Sequence, residues 1–144
     1  MFGICVWYVL KKEHILHKTI HRYSEVFNSH PFRAHITIKH SLDTIEAHNI
    51  WSNHKETYTF FPCGDIVQTS TQLGDDIFYA IEQPLKVLDN DEIYHISLAY
   101  RINQKFQPFE LSLIAPVAPI LKEDIEVCVA DCSGKIKDWK ILYK

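Results

Sequence analysis

The sequence predicts an α+β fold built mostly of antiparallel strands, with one or two helices near the start. Three observations carry this. Apolar residues alternate at period two in residues 33–39 and 94–101, as half-buried strands require. Turn signals at Leu73-Gly74-Asp75-Asp76 and Ser133-Gly134 separate β-rich runs, the pattern of hairpins. Helical periodicity is clear only in residues 13–28.

The elements follow in order. Residues 3–10 are an unbroken apolar run, read as a first, buried strand. The run is too short to span a bilayer, and it lacks the basic start and small-residue cleavage site of a secretory signal. In residues 13–28, Leu16, Ile20, Tyr23 and Phe27 share one stripe, while His14, His17, His21 and Glu25 fall on a face expected to be solvated. Residues 33–39 form a strand with His35 and Thr37 on one face and Ala34, Ile36 and Ile38 on the other. Residues 43–51 read as a short helix capped by Ser41 or Asp43. Strands follow at 57–61, 65–70 and 77–82, then a short acidic connection over 84–92. The strand at 94–101 puts His95 and Ser97 on one face and Ile96 and Leu98 on the other. Residues 103–119, with three prolines, read as a loop or edge strand, and 125–131 and 136–143 as a closing hairpin.

Composition bounds the function. A chain of 144 residues is expected to form one domain, residues 1–144, with a core that needs no staples. Apolar residues at 47% and charged residues at 23% fit a soluble globular protein. A net charge of −3 argues against a partner with a long nucleic-acid backbone, which calls for a basic stripe, and leaves room for a small anionic ligand. Cys5, Cys63, Cys128 and Cys132 form no CxxC pair and no zinc spacing, so reduced thiols in the cytoplasm are expected.

The chemistry lies in a repeat. His35-Ile36-Thr37-Ile38 and His95-Ile96-Ser97-Leu98 share one pattern: histidine, aliphatic, hydroxyl, aliphatic. Nine histidines among fifteen Ser and Thr give roughly one H-x-[S/T] by accident, and there are three. The third, His17-Lys18-Thr19, lies on the predicted helix, where positions i and i+2 point apart. On a strand, His(i) and Thr or Ser(i+2) share a face about 6.5–7 Å apart, within reach of one small ligand. Two imidazoles and two hydroxyls converging on one phosphorus suit a phosphodiester. The hydroxyls donate to the non-bridging oxygens, and the imidazoles supply a general base and a general acid near neutrality.

The two motifs resemble the doubled H-x-[T/S]-hydrophobic signature of the 2H phosphoesterase superfamily. Within it, the chain is most similar to small cyclic phosphodiesterases that act on ADP-ribose 1″,2″-cyclic phosphate and nucleoside 2′,3′-cyclic phosphates. The opening strand with Trp7, Tyr100 five residues beyond His95, and a closing hairpin carrying Trp139 add to the likeness. The resemblance implies a two-lobed, pseudo-two-fold arrangement of antiparallel sheets with helices outside and a central cleft. It implies metal-independent hydrolysis of a cyclic phosphodiester, with no cofactor. His35 and His95 would be catalytic, with His95 expected as base and His35 as acid. Thr37 and Ser97 would bind phosphate oxygens, and Tyr100 and Trp7 would touch the phosphate or stack on the base. The partner would be a small nucleotide with a cyclic phosphate, or a short oligonucleotide, acted on by a cytoplasmic monomer away from any membrane.

Two departures stand out. Relatives carry a longer helical insertion before the second motif, where only residues 83–94 stand here. An offset of five also points Tyr100, and His40 in the first motif, to the opposite strand face unless the strand ends or twists. Trp139, Phe60 and Phe61 are assigned to the core, Cys128 and Cys132 to a strand near a turn, and Arg33, Lys39 and Arg101 to no role. Three alternatives stay open: a related enzyme for 2′–5′ oligoadenylate or a cyclic dinucleotide, a non-catalytic nucleotide-binding module, and a metal-dependent hydrolase using the His-rich helix.

Overall fold

The computed structural model describes residues 1–54 and 56–144. The first apolar run is strand β1 (Ile4–Leu10), buried on both faces, which explains why it lacks a period-two pattern. Helix α1 (Leu16–Val26) lays Leu16, Ile20 and Tyr23 on the core, with Phe27 following. Strand β2 (His35–Leu42) carries the first motif. Helix α2 (Thr44–Asn53) starts at a capping box: Asp43 accepts from Glu46 N–H, and Glu46 accepts from Asp43 N–H.

Strands β3 (Phe61–Pro62), β4 (Val67–Leu73), β5 (Asp76–Lys86) and β6 (Tyr94–Ile102) follow, then a short helix α3 (Pro108–Leu111) with Pro at its start, β7 (Ile125–Asp131) and β8 (Lys140–Tyr143). Every strand pairing is antiparallel, in the order β3-β5-β6-β2-β1-β7-β8, with β4 also on β5. Among the described residues the architecture is thus α+β, one eight-stranded sheet with three α-helices.

Both long helices cover one face, where Val6, Tyr8, Ile36, Ile81, Ile96 and Leu98 meet their apolar stripes. The other face is lined by two smaller clusters, one around Cys5, Trp7, Val9 and Cys128, the other around Phe78, Ala80 and Tyr100. This second face carries the cleft described below.

Several expectations change. The connection assigned to 84–92 begins later, because β5 runs through Pro84 to Lys86. Pro84 falls in the gap between the partners of β5 on that edge: pairing with β4 ends at Glu82 and pairing with β3 begins at Leu85. Residues 57–61 yield only a bridge from Phe60 to Ile120 and the start of β3. The closing hairpin is interrupted by a 3-10 turn at Ile136–Asp138. His17 is not on a solvated face: its Nε2 accepts the Ala34 N–H at 3.1 Å and ties α1 to the entry of β2. No helix is long and apolar enough to cross a membrane, among the described residues.

Arg101 lies outside the cleft and braces the fold. Its guanidinium grips the Glu110 carboxylate with two bonds, at 2.9 and 2.6 Å, and donates to the Phe27 carbonyl. It also sits over the Phe106 ring at 4.4 Å. Arg33 plays a similar part before the first motif, donating to the Leu10 carbonyl at 3.0 and 2.8 Å.

Candidate active site

The two motif strands meet at the centre of the sheet through one residue pair, Ile36 opposite Ile96. These are the middle residues of the two H-x-[T/S] triplets. Antiparallel sense then sets His35 beside Ser97 and Thr37 beside His95, with a local two-fold between the isoleucines. Both isoleucines point into the helix-covered core, so all four polar side chains face the other way. His35, Thr37, His95, Ser97, Trp7 and Tyr100 all line one cleft of about 530 Å³.

Tyr100 arrives there because of a bulge. In the β5–β6 ladder Ser97 faces Glu82 while Ala99 faces Ile81, so Leu98 is an extra residue. It turns into the core together with Ala99, and the alternation resets so that Tyr100 shares the face of His95 and Ser97. The first motif repeats the device: Thr37 faces Trp7, Lys39 faces Val6, and Ile38 is extra. His40 thereby reaches the cleft and meets the edge of Phe2. The offset of five that conflicted with a flat strand is the expected result of one inserted residue.

His35 is held from three sides. Its ring stacks on Trp7 with centroids 3.7 Å apart, and Phe32 and Trp139 meet it edge-on. Nδ1 sits 2.6 Å from the Arg33 carbonyl, an acceptor only, so Nδ1 carries the proton and donates it while Nε2 keeps the lone pair. Burial pushes its pKa down to about 4, although the hydrogen bond to Arg33 works in the other direction. His95 is exposed and makes no side-chain hydrogen bond to the described residues. The Tyr100 phenol is pushed well above its ordinary range by burial, with the Ser97 side chain offsetting part of the rise. It therefore stays protonated as a donor.

The depressed histidine has a consequence for stability. Between about pH 6.5 and pH 4 the unfolded chain binds a proton at His35 that the folded one refuses. The stabilisation is complete above the unfolded value and is lost as pH falls toward the folded one. It amounts to about 3 kcal/mol over that window. Denaturation at pH 7, 5.5 and 4.5 should show falling stability in the wild type and a flatter profile in His35→Gln.

Other cleft residues escaped the sequence reading. Trp139, assigned to the core, meets Trp7, His35 and Tyr100 edge-on and lines the cleft. Its position depends on the distant pairing of β1, β7 and β8, although a tryptophan on the closing hairpin was a hint. Cys132 lies beside Cys5 in the cleft wall, because its backbone bonds to Phe2 and Gly3 across the sheet. Phe78 stacks tilted on Tyr100, and Glu82 accepts from the Thr69 hydroxyl. No three metal-ligating side chains are grouped among the described residues. His14, just before α1, and His17, on it, accept from backbone N–H groups, and His21 pairs with Glu25.

Comparison with protein-family models, with curated proteins and with solved structures gives no match to this chain.

Proposed function

We propose that this chain is a metal-independent phosphodiesterase of the 2H phosphoesterase type, with that family's two-lobed, pseudo-two-fold fold around the seam between β2 and β6. It opens a cyclic phosphodiester, either ADP-ribose 1″,2″-cyclic phosphate or a nucleoside 2′,3′-cyclic phosphate. The observation that carries the reading is the placement of two His and two hydroxyl side chains, related by the Ile36–Ile96 pair, on the wall of one cleft.

The chemistry follows from the two histidines' unlike surroundings. A general base must be neutral, and His35 is kept neutral by burial, with Nδ1–H anchored and Nε2 holding the lone pair. It takes a proton from the attacking water. The exposed His95 gives a proton to the departing sugar oxygen as the P–O bond breaks, leaving a phosphomonoester and a free hydroxyl. This assignment is the reverse of the one expected from sequence. Thr37 and Ser97 donate to the non-bridging oxygens, whose charge grows in the transition state, and Tyr100 adds a further neutral donor. Trp7 holds the base ring by stacking rather than touching the substrate first.

The test is a substrate panel in EDTA: 2′,3′-cyclic mononucleotides, ADP-ribose 1″,2″-cyclic phosphate, 2′–5′ oligoadenylate and cyclic dinucleotides. Turnover of a five-membered cyclic phosphodiester, with the acidic limb of kcat/KM near pH 4 set by His35, is expected. Failure to turn over any member, or activity that EDTA abolishes, defeats the reading.

A further inference from the structure

A second groove, of about 470 Å³, adjoins the cleft. Lys12, Arg33, Lys137, Lys140 and Lys144 line it, and among the described residues no aspartate or glutamate does. That gathers five of the fifteen lysines and arginines on one surface of a chain whose net charge is −3. The charges are placed by four separated pieces of chain: the end of β1, the entry to β2, the 3-10 turn and β8. They are not a local run in the sequence. Two of them have other engagements: Arg33 bonds the Leu10 carbonyl, and Lys144 lies 3.9 Å from Glu126.

Trp7 and Trp139 line both the groove and the cleft, so two indoles form the partition between them. The wall of the cleft, by contrast, carries two carboxylates, Glu82 and Glu92, against one lysine, Lys39. A phosphate chain leaving the histidine pair is repelled by these carboxylates and attracted by the cations of the groove. Cations along a groove supply the charge that tracks a single strand's phosphates, and the half-buried Trp139 offers part of a ring to a base, Trp7 being buried against His35.

Building on the reading of the cleft, we propose that the groove is a second subsite that binds the backbone phosphates leading up to the cyclic end. The ligand is then a short single-stranded oligoribonucleotide ending in a 2′,3′-cyclic phosphate, in preference to a lone cyclic nucleotide. The cleft holds the terminal nucleotide and the groove holds the strand before it. The acidic net charge is compatible with this because the cations are local, and only a short strand is gripped.

The experiment compares three substrates: a cyclic mononucleotide, an oligoribonucleotide of about six residues with a cyclic end, and ADP-ribose 1″,2″-cyclic phosphate. They are tested with the wild type and with the triple variant Lys12→Glu, Lys137→Glu, Lys140→Glu. The triple variant should raise KM for the oligonucleotide about tenfold or more and change that of the mononucleotide by less than about twofold. An equal loss on both overturns the proposal, as does no loss on the oligonucleotide. If the ADP-ribose substrate loses as much as the oligonucleotide, the groove binds one diphosphate and the strand is overturned. Binding is measured separately by fluorescence anisotropy with the 3′-phosphorylated oligonucleotide, which needs no turnover. A wild type that turns over nothing but binds this strand about tenfold more tightly than the triple variant defeats the reading of the cleft and upholds the groove. Equal binding by the two proteins defeats the groove.

Discussion

The His95→Ala protein is expected to unfold at the wild-type denaturant midpoint and yet to lose about 10²–10⁴-fold in kcat/KM on a 2′,3′-cyclic nucleotide. The two halves of that result have separate causes. His95 is exposed and makes no side-chain hydrogen bond with the described residues, so its truncation leaves no cavity and no orphaned partner. Its only postulated work is to hand a proton to the leaving oxygen. His35→Ala is a poorer probe, because that ring is 5% exposed and packed against Trp7, and its loss changes the fold as well as the chemistry. Steady-state kinetics beside guanidinium unfolding decide the matter. Wild-type rates from a folded His95→Ala protein would remove the acid role altogether.

The second large effect is purely structural. Arg101→Leu should lower stability by about 3–5 kcal/mol, seen as a shift of the urea midpoint at unchanged slope. The Arg101 and Glu110 side chains are only 10% and 11% exposed, and the substitution takes the Arg101 donor from the Phe27 carbonyl and leaves the carboxylate with the Gln107 N–H but no countercharge. The pair itself need not be worth that much. Replacing both ends, Arg101→Met with Glu110→Leu, should recover a substantial part, because no buried charge is then left alone. An Arg101→Leu protein as stable as the wild type would show that water reaches the site and screens the pair.

Strand positions and the shared face of each motif were legible because a half-buried strand writes its burial into a period of two. The alternation around His35 and His95 told which side chains travel together before any pairing was known. The bulges left no such mark. Leu98-Ala99 and Ile38-Lys39 read as ordinary strand, and only the register against Ile81 and Val6 exposes the inserted residues. Trp139 was assigned to the core without its place on the cleft wall, and Cys132 without its neighbour, for a related reason: Trp7 and Cys5 lie more than a hundred residues away, across the pairing of β1 with β7. His17 was misjudged because a helical wheel shows which way a side chain points but not what the next segment brings to meet it. Pro84 looked like a strand end because the gap between β3 and β4 that accommodates it is a property of the sheet edge.

The Ile36–Ile96 seam has a mechanical meaning. Each half of the sheet is a stiff plate: β1 joins β2, and β5 joins β6, through ladders of many pairs, whereas one pair joins the plates to each other. The histidines sit on opposite plates, so the span between them depends on a joint held by one pair. On the proposed reading, a phosphate touched from both sides would work as a rivet there, part of its binding energy going into stiffening the joint. Amide exchange at Ile36 and Ile96 should therefore slow on ligand binding more than exchange within either plate.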